Sequence, residues 1–145
     1  MANYAGRDDM VRVCAMVAGL DTDLTDVLTK ATEILNRDIT RLWYRRQCDE
    51  RGVDWASTAF DQDKLVDVSV LADVATFKAL ELAGDQLTQH PGTKDGRDQW
   101  QEIRDHFGNR YQEELEAVLD YGLEYEWSAS DNEIATVPSR RLRRM

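Results

Sequence analysis

The sequence predicts a mainly α protein: an antiparallel bundle of three to four helices with a C-terminal β-strand or hairpin and an extended arm. Prolines occur only at positions 91 and 138, between periodic segments, so long helices are allowed almost everywhere else. Apolar residues recur at spacings of three and four along most of the chain and at a spacing of two near its C-terminus. The 145 residues suffice for one helical domain, predicted over 1–128, followed by a C-terminal turn and basic arm over 129–145.

Two helices are predicted in the first third of the chain. A short helix runs from about Asp8 to Gly19, and a longer one of about six turns opens at Asp21 and ends near Arg46. Their apolar faces comprise Met10, Val13, Cys14 and Val17 in the first helix, and Leu24, Val27, Leu28, Ala31, Leu35, Leu42 and Trp43 in the second. The acids at 21, 23 and 26 are interpreted as helix-capping residues, because the glycine and terminal glutamate of a calcium loop are missing.

The middle of the chain predicts a loop and then a central helix. Residues 48–63 lose the helical period, and we expect Trp55 and Phe60 to hold this loop against the core. Over about 64–87 apolar residues surround the helix axis, which is typical of a helix that is buried or covered by neighbouring copies. Its opening residues, 65–70, alternate between apolar and polar, so a short strand is the alternative there.

The last third predicts a turn, a helix and a strand. Residues 89–96 form a turn, and an amphipathic helix follows from about Arg97 to Asp120. After Gly122 the period shortens to two, which indicates a strand in which Leu123, Tyr125 and Trp127 share one face. Residues 130–132 then turn the chain, and residues 134–137 are predicted to return as a partner strand.

The charge distribution excludes several classes of protein. The chain has 28 acidic and 18 basic residues, a net charge of −10, and four of the bases are Arg140, Arg141, Arg143 and Arg144. The first 138 residues therefore carry −14, which argues against nucleic-acid binding by the whole surface. The longest run without a charge has eight residues, too short for a membrane helix. Acids near the N-terminus argue against a signal peptide, and two cysteines are too few for a disulfide scaffold, so we expect a reducing compartment.

Candidate catalytic and metal sites are weak. Glu102 and His106 lie four residues apart with Asp98 one turn earlier, but a solvated helix face explains them better, since no HExxH pattern accompanies them. No nucleophile elbow is present, and residues 92–96 lack the P-loop pattern. The sequence therefore predicts no enzymatic activity and no cofactor or metal.

Two charged features point instead to interactions between proteins. Arg37, Arg41 and Arg45 form a basic stripe, which is either a solvated face with a Glu33–Arg37 pair or a contact strip for an adjacent identical subunit. The acidic, aromatic segment containing Tyr125 and Trp127 is a candidate edge on which a copy's arginine-rich tail docks or adds a strand. An unattached basic tail is the alternative.

The order of these segments resembles the head-to-tail connector, or adaptor, proteins of tailed bacteriophages. The resemblance rests on the entry AGLDTDLTDVL (18–28) into a long helix, the nearly all-apolar central helix, the segment YEWSASDNE (125–133) and the arginine-rich terminus. The long loop 48–63 departs from that pattern, as does the lack of a glycine often seen in the aromatic, acidic turn.

The resemblance implies a structural virion protein located in the neck, between portal and tail, and made in the host cytoplasm. Such adaptors form a homo-oligomeric ring, usually a dodecamer, under the portal protein, extend the DNA channel without binding DNA specifically, and dock a neck or tail-completion protein, with no membrane partner. The portal-binding arm would comprise Ile134, Val137, Arg140, Arg141, Leu142, Arg143, Arg144 and Met145. The alternatives are a tail-completion or neck protein that does not contact the portal, and a small nucleic-acid-associated regulator that uses the basic stripe or tail.

Overall fold

Two long antiparallel helices, α4 (Ala72–Gln89) and α5 (Lys94–Tyr121), form the centre of the fold. The structure is a computed structural model and describes residues 2–20, 23–89 and 94–127. Helices α1 (Arg7–Val13), α2 (Thr25–Ile39) and α3 (Arg45–Arg51) precede this pair. Over the described residues the predicted mainly helical bundle is confirmed.

The predicted first helix is wrong in one respect, because it breaks at Cys14. That residue is extended, with φ −135° and ψ 100°, and a 3₁₀ turn follows over Ala15–Gly19. The break allows the guanidinium of Arg7 to donate to the carbonyls of Val17 and Leu20, at 3.3 and 2.7 Å. In an unbroken helix Arg7 and Val17 would lie about 15 Å apart along the axis, beyond the reach of an arginine.

The second predicted helix ends at Arg51, not near Arg46. A π-helical turn, Thr40–Tyr44, joins α2 to α3, and Gly52 ends the helix with a left-handed φ of 74°. The helix continues because Cys48, which was assigned to the loop, is fully buried on its apolar face. At the start, the N-cap residue is Leu24 and no side chain caps the helix, so the predicted N-capping is wrong for Asp23. Asp23 Oδ1 instead accepts hydrogen bonds from the backbone N and Oγ1 of Thr25, the first residue of α2.

The connection between α3 and α4 differs from the prediction. Phe60 packs on Tyr44 as expected, but Trp55 is exposed and contacts Arg45 instead of the core. Helix α4 begins only at Ala72, after a 3₁₀ turn over Ser69–Leu71. Earlier in the connection a 3₁₀ turn over Gln62–Lys64 is followed by Leu65, which is extended and pairs with Tyr125.

Helix α4 is buried by its own chain. It packs against α1, α2 and α5, so the apolar residues around its axis do not require neighbouring copies. The approach to α5 is closest at Gly84, where a Cβ would lie 2.8 Å from the carbonyl oxygen of Trp100 and 2.9 Å from the backbone N of Arg104. Only a glycine fits at this crossing.

After α5 the chain turns at Gly122, whose φ is 103°, and returns along the connection before α4. Val66 N donates to the carbonyl of Glu124 at 3.0 Å, and Glu126 N donates to the carbonyl of Lys64 at 2.8 Å. The predicted strand over 123–127 does not form within the described residues, where a single isolated antiparallel bridge joins Leu65 to Tyr125. The predicted turn, partner strand and arm over 129–145 lie outside the described residues, as does the domain boundary at 128.

Candidate functional site

The C-terminal segment 123–127 is attached to the body by a cluster of aromatic rings. Trp127 stacks on Tyr44 with ring centroids 5.7 Å apart, and Tyr125 packs at 5.7 Å from Tyr44 and 5.5 Å from Phe60. Trp43 packs on the same two C-terminal rings, at 6.2 and 6.4 Å. These contacts stabilise the segment by more than the burial of apolar area alone, since each aromatic pair adds about 0.5–1.5 kcal/mol.

Hydrogen bonds fix this aromatic cluster in place. Tyr44 donates its hydroxyl proton to the carbonyl of Thr58 at 2.7 Å, and the Tyr125 hydroxyl accepts from the backbone N of Asp61 at 3.1 Å. Burial raises the pKa of both phenols. Tyr125 and Trp127, which were predicted to contact a neighbouring copy, therefore make extensive contacts within their own chain.

The basic stripe is arranged around a buried carboxylate. Asp38 is 7% exposed, and its Oδ1 lies 3.8 Å from Arg37 Nε and 3.5 Å from Arg41 Nη2. Its Oδ2 accepts a 2.7 Å hydrogen bond from the hydroxyl of Tyr111 on α5. The predicted partner of Arg37, Glu33, is replaced by Asp38.

One end of the stripe carries a cation–π contact. The guanidinium of Arg45 lies 4.4 Å from the centre of the Trp55 ring. Leu42 and Trp55 are both exposed beside the arginines, at 40% and 38%. We call Arg37, Arg41, Leu42, Arg45 and Trp55 the basic face.

Helix α5 carries a continuous acidic stripe that the sequence analysis missed. Its exposed residues follow spacings of four and three, which keeps them within an arc of ~80° over about 33 Å of helix. We call these residues the α5 stripe: Asp98, Glu102, Asp105, Asn109, Glu113, Glu116 and Asp120. The buried side chains Trp100, Phe107, Tyr111 and Leu115 lie on the opposite side of the helix. Where the structure describes the chain, Asp105 is the one stripe carboxylate with an ion pair, to Arg104 at 3.1 Å.

A second exposed apolar region surrounds a groove at the C-terminal end of α5. The groove has a volume of about 430 Å³, and its walls include Val70, Val118, Leu123 and the carboxylate-bearing residues Asp67 and Glu124. Two of its lining residues are strongly exposed, Val70 at 45% and Tyr121 at 95%. Val66 and Val68, which flank the lining residue Asp67 in the chain, are exposed at 56% and 45%. We call Val66, Asp67, Val68, Val70, Tyr121 and Glu124 the acidic groove.

Asp67 is held rigidly in this groove. Its Oδ1 accepts hydrogen bonds from the backbone N and Oγ of Ser69, at 3.0 and 2.6 Å. These hydrogen bonds lower the pKa of the Asp67 carboxyl. Across the described residues neither Asp67 nor Glu124 has an ion-pair partner, so the groove presents uncompensated negative charge.

The residues considered for metal binding do not form a site. Within 2–20, 23–89 and 94–127 no group of three or more histidine, cysteine or acidic side chains is arranged to hold a metal ion. Glu102 and His106 line a shallow groove beside Met16. None of the helices in the described ranges is both long and apolar enough to cross a bilayer.

Comparisons with known proteins add no relative of this chain. No protein-family model, no curated protein and no solved structure matches it. The eight residues predicted to bind the portal, between Ile134 and Met145, lie outside the described residues.

Proposed function

We propose that this chain is a non-enzymatic structural protein of a tailed-bacteriophage virion, located in the neck. Copies assemble as a homo-oligomeric ring, a dodecamer, beneath the portal protein. The ring extends the DNA channel and provides the docking surface for a neck or tail-completion protein.

The observation that carries this proposal is the α5 stripe. Six carboxylates along about 33 Å of one exposed helix face give a surface that repels DNA phosphates. With α5 facing the axis of a ring, such a surface lets a genome pass without gripping it. A protein that binds DNA needs clustered lysine and arginine on that surface instead.

The attachment of segment 123–127 also supports the proposal. An arm that anchors a ring to its partner must transmit load to the body, and five packed aromatic rings provide a firm attachment. Backbone hydrogen bonds join the same segment to the connection before α4, through Val66 N to the carbonyl of Glu124 and through Glu126 N to the carbonyl of Lys64. In our proposal residues 134–137 return as a partner strand of this segment, and the arm continues to the portal.

Portal binding by the arm is tested by truncation. The full chain and a chain lacking residues 138–145 are mixed with the portal protein encoded in the same genome, and the complexes are imaged by electron microscopy. We expect a ring seated on the portal for the full chain only, with equal helicity of both chains by circular dichroism. A matched full-length variant with all four tail arginines replaced by glutamine tests whether charge or length is required.

A truncated chain that still assembles on the portal would overturn the assignment of the arm. The absence of a portal gene near this reading frame would count against the function itself. Salt-sensitive DNA binding by the full chain at about 50 mM salt would favour a nucleic-acid-associated regulator instead.

A further inference from the structure

The exposed apolar residues of this protein are divided between two surfaces of opposite charge. Seven large apolar side chains are exposed in the described parts of the chain. All except Met16 belong to the basic face or to the acidic groove. Exposed apolar groups concentrated in this way, with charges beside them, mark interaction sites on soluble proteins.

We propose that the basic face of one copy binds the acidic groove of a second copy. This contact would join neighbouring subunits of the ring proposed above, and to that extent it rests on the proposed function. It is nevertheless a property of the chain alone and is measured without portal.

Charge complementarity identifies the second copy as the partner. The basic face presents the exposed guanidinium groups of Arg37 and Arg41, whose side chains are 72% and 61% exposed. The groove presents the carboxylates of Asp67 and Glu124, which lack cations in the described structure. Each surface therefore carries the charge that the other lacks, and electrostatic complementarity of this kind selects partners and orientation.

The apolar residues of the two surfaces also suit each other. Leu42 and Trp55 are exposed beside the arginines, and the groove offers a cavity of about 430 Å³ lined in part by Val70 and Tyr121. An exposed tryptophan held by a cation–π contact has little rotamer freedom left to lose, so it is a suitable anchor for such a cavity.

The contact joins two different surfaces and is therefore head-to-tail. Head-to-tail contacts produce closed rings where the rotation between subunits closes, and open filaments where it does not. The basic face extends from α2 through the π-helical turn to α3 and the following loop, whereas the groove lies between the segment before α4 and the end of α5. One copy thus has both surfaces available for different neighbours.

Sedimentation velocity of the full chain tests the proposal. At about 50 mM salt and up to about 1 mM protein we expect concentration-dependent association, weakened at least about tenfold at about 500 mM salt. A basic-face variant, Leu42→Asp with Arg45→Glu, should associate at least about tenfold more weakly, and so should a groove variant, Val70→Lys with Glu124→Lys. These variants leave Arg37, Arg41 and Asp38 intact, and circular dichroism checks their folding.

Mixing the two variants provides the decisive measurement. In an equimolar mixture the groove variant supplies a native basic face and the basic-face variant supplies a native groove. The two changed surfaces also carry opposite charges, so association should return. Asp98→Lys and Glu102→Lys, both exposed near the start of the α5 stripe and more than about 28 Å along the helix from Tyr121, make single charge changes outside both surfaces and should leave association unchanged.

Four results would overturn the proposal: a monomeric full chain at about 1 mM protein in low salt, a mixture that does not regain association, controls as impaired as the variants, or loss of association when residues 138–145 are removed. The chain lacking residues 138–145 must also associate normally, since a loss would make the tail the occupant of the groove. Because portal is absent, failure here leaves the portal-binding test standing, and failure of portal binding leaves this contact standing.

Discussion

Asp38 connects the packing of the core to the charge of the surface. One oxygen of its carboxylate accepts a hydrogen bond from the Tyr111 hydroxyl on α5, and the other lies near the guanidinium groups of Arg37 and Arg41. A carboxylate buried to this extent is tolerated only when it is hydrogen-bonded and paired. In the sequence it is one acid among 28, and nothing local distinguishes it.

Replacing Tyr111 with Phe should destabilise the fold by about 1–3 kcal/mol, because one oxygen of Asp38 loses its buried donor. Urea unfolding followed by circular dichroism measures the loss. Tyr121→Phe is the matched control: this ring is 95% exposed, and we expect a change within about 0.5 kcal/mol. Equal stability of Tyr111→Phe and the native chain would show that water replaces the missing hydroxyl.

At the scale of elements, the sequence predicts the positions of helices whose apolar residues are buried. It does not predict helix breaks that depend on contacts between residues far apart in the chain. The helical repeat of apolar residues located α5, and apolar residues on all sides located α4, although α4 begins at Ala72, about eight residues after its predicted start. The break at Cys14 depends on Arg7 reaching carbonyls at Val17 and Leu20, and no periodic pattern encodes that contact.

The candidate surfaces divide in the same way. The spacing of Arg37, Arg41 and Arg45 is enough to predict the basic stripe. The spacing of the acids on α5 is likewise enough to predict the α5 stripe, although the sequence interpretation took in only Asp98, Glu102 and His106. The acidic groove was not predictable, because Val66 and Glu124 meet only through the pairing of Leu65 with Tyr125.

The crossing of α4 and α5 depends on Gly84. Alanine there would place a Cβ 2.8 Å from a backbone oxygen, so the helices must separate, which costs about 1–3 kcal/mol in an overpacked site. The better helix propensity of alanine offsets up to about 1 kcal/mol. We therefore expect Gly84→Ala to lower the free energy of unfolding in urea.

Gly108→Ala is the control for this crossing. A Cβ at Gly108 meets only the side chain of Glu81, at 3.2 Å, and a flexible side chain can move away. We expect this variant to be neutral or slightly stabilised. If both alanine variants have the same urea midpoint of unfolding as the native chain, the two helices are not packed as closely as the structure indicates.

Over the whole molecule, four of the five tyrosines connect separate parts of the fold. Tyr4 joins the N-terminus to α2, Tyr111 joins α5 to α2, and Tyr44 and Tyr125 belong to the aromatic cluster. Burial is the main cause that raises the pKa of each of these phenols. The folded state therefore requires that these four phenols stay protonated and neutral.

This arrangement predicts cooperative alkaline unfolding. Unfolded tyrosines lose their protons near pH 10, whereas the folded chain retains them, so the unfolded state binds fewer protons above that pH. The free energy of unfolding is then unaffected by these groups below about pH 10 and falls as the pH rises beyond it. Tyrosinate absorbance should appear together with the loss of helical circular dichroism, and Tyr111→Phe, with one fewer shifted phenol, should show a shallower dependence on pH. Ionisation of all five tyrosines in a chain that keeps its helices would contradict this prediction, because it would mean that the phenols are accessible to solvent without unfolding.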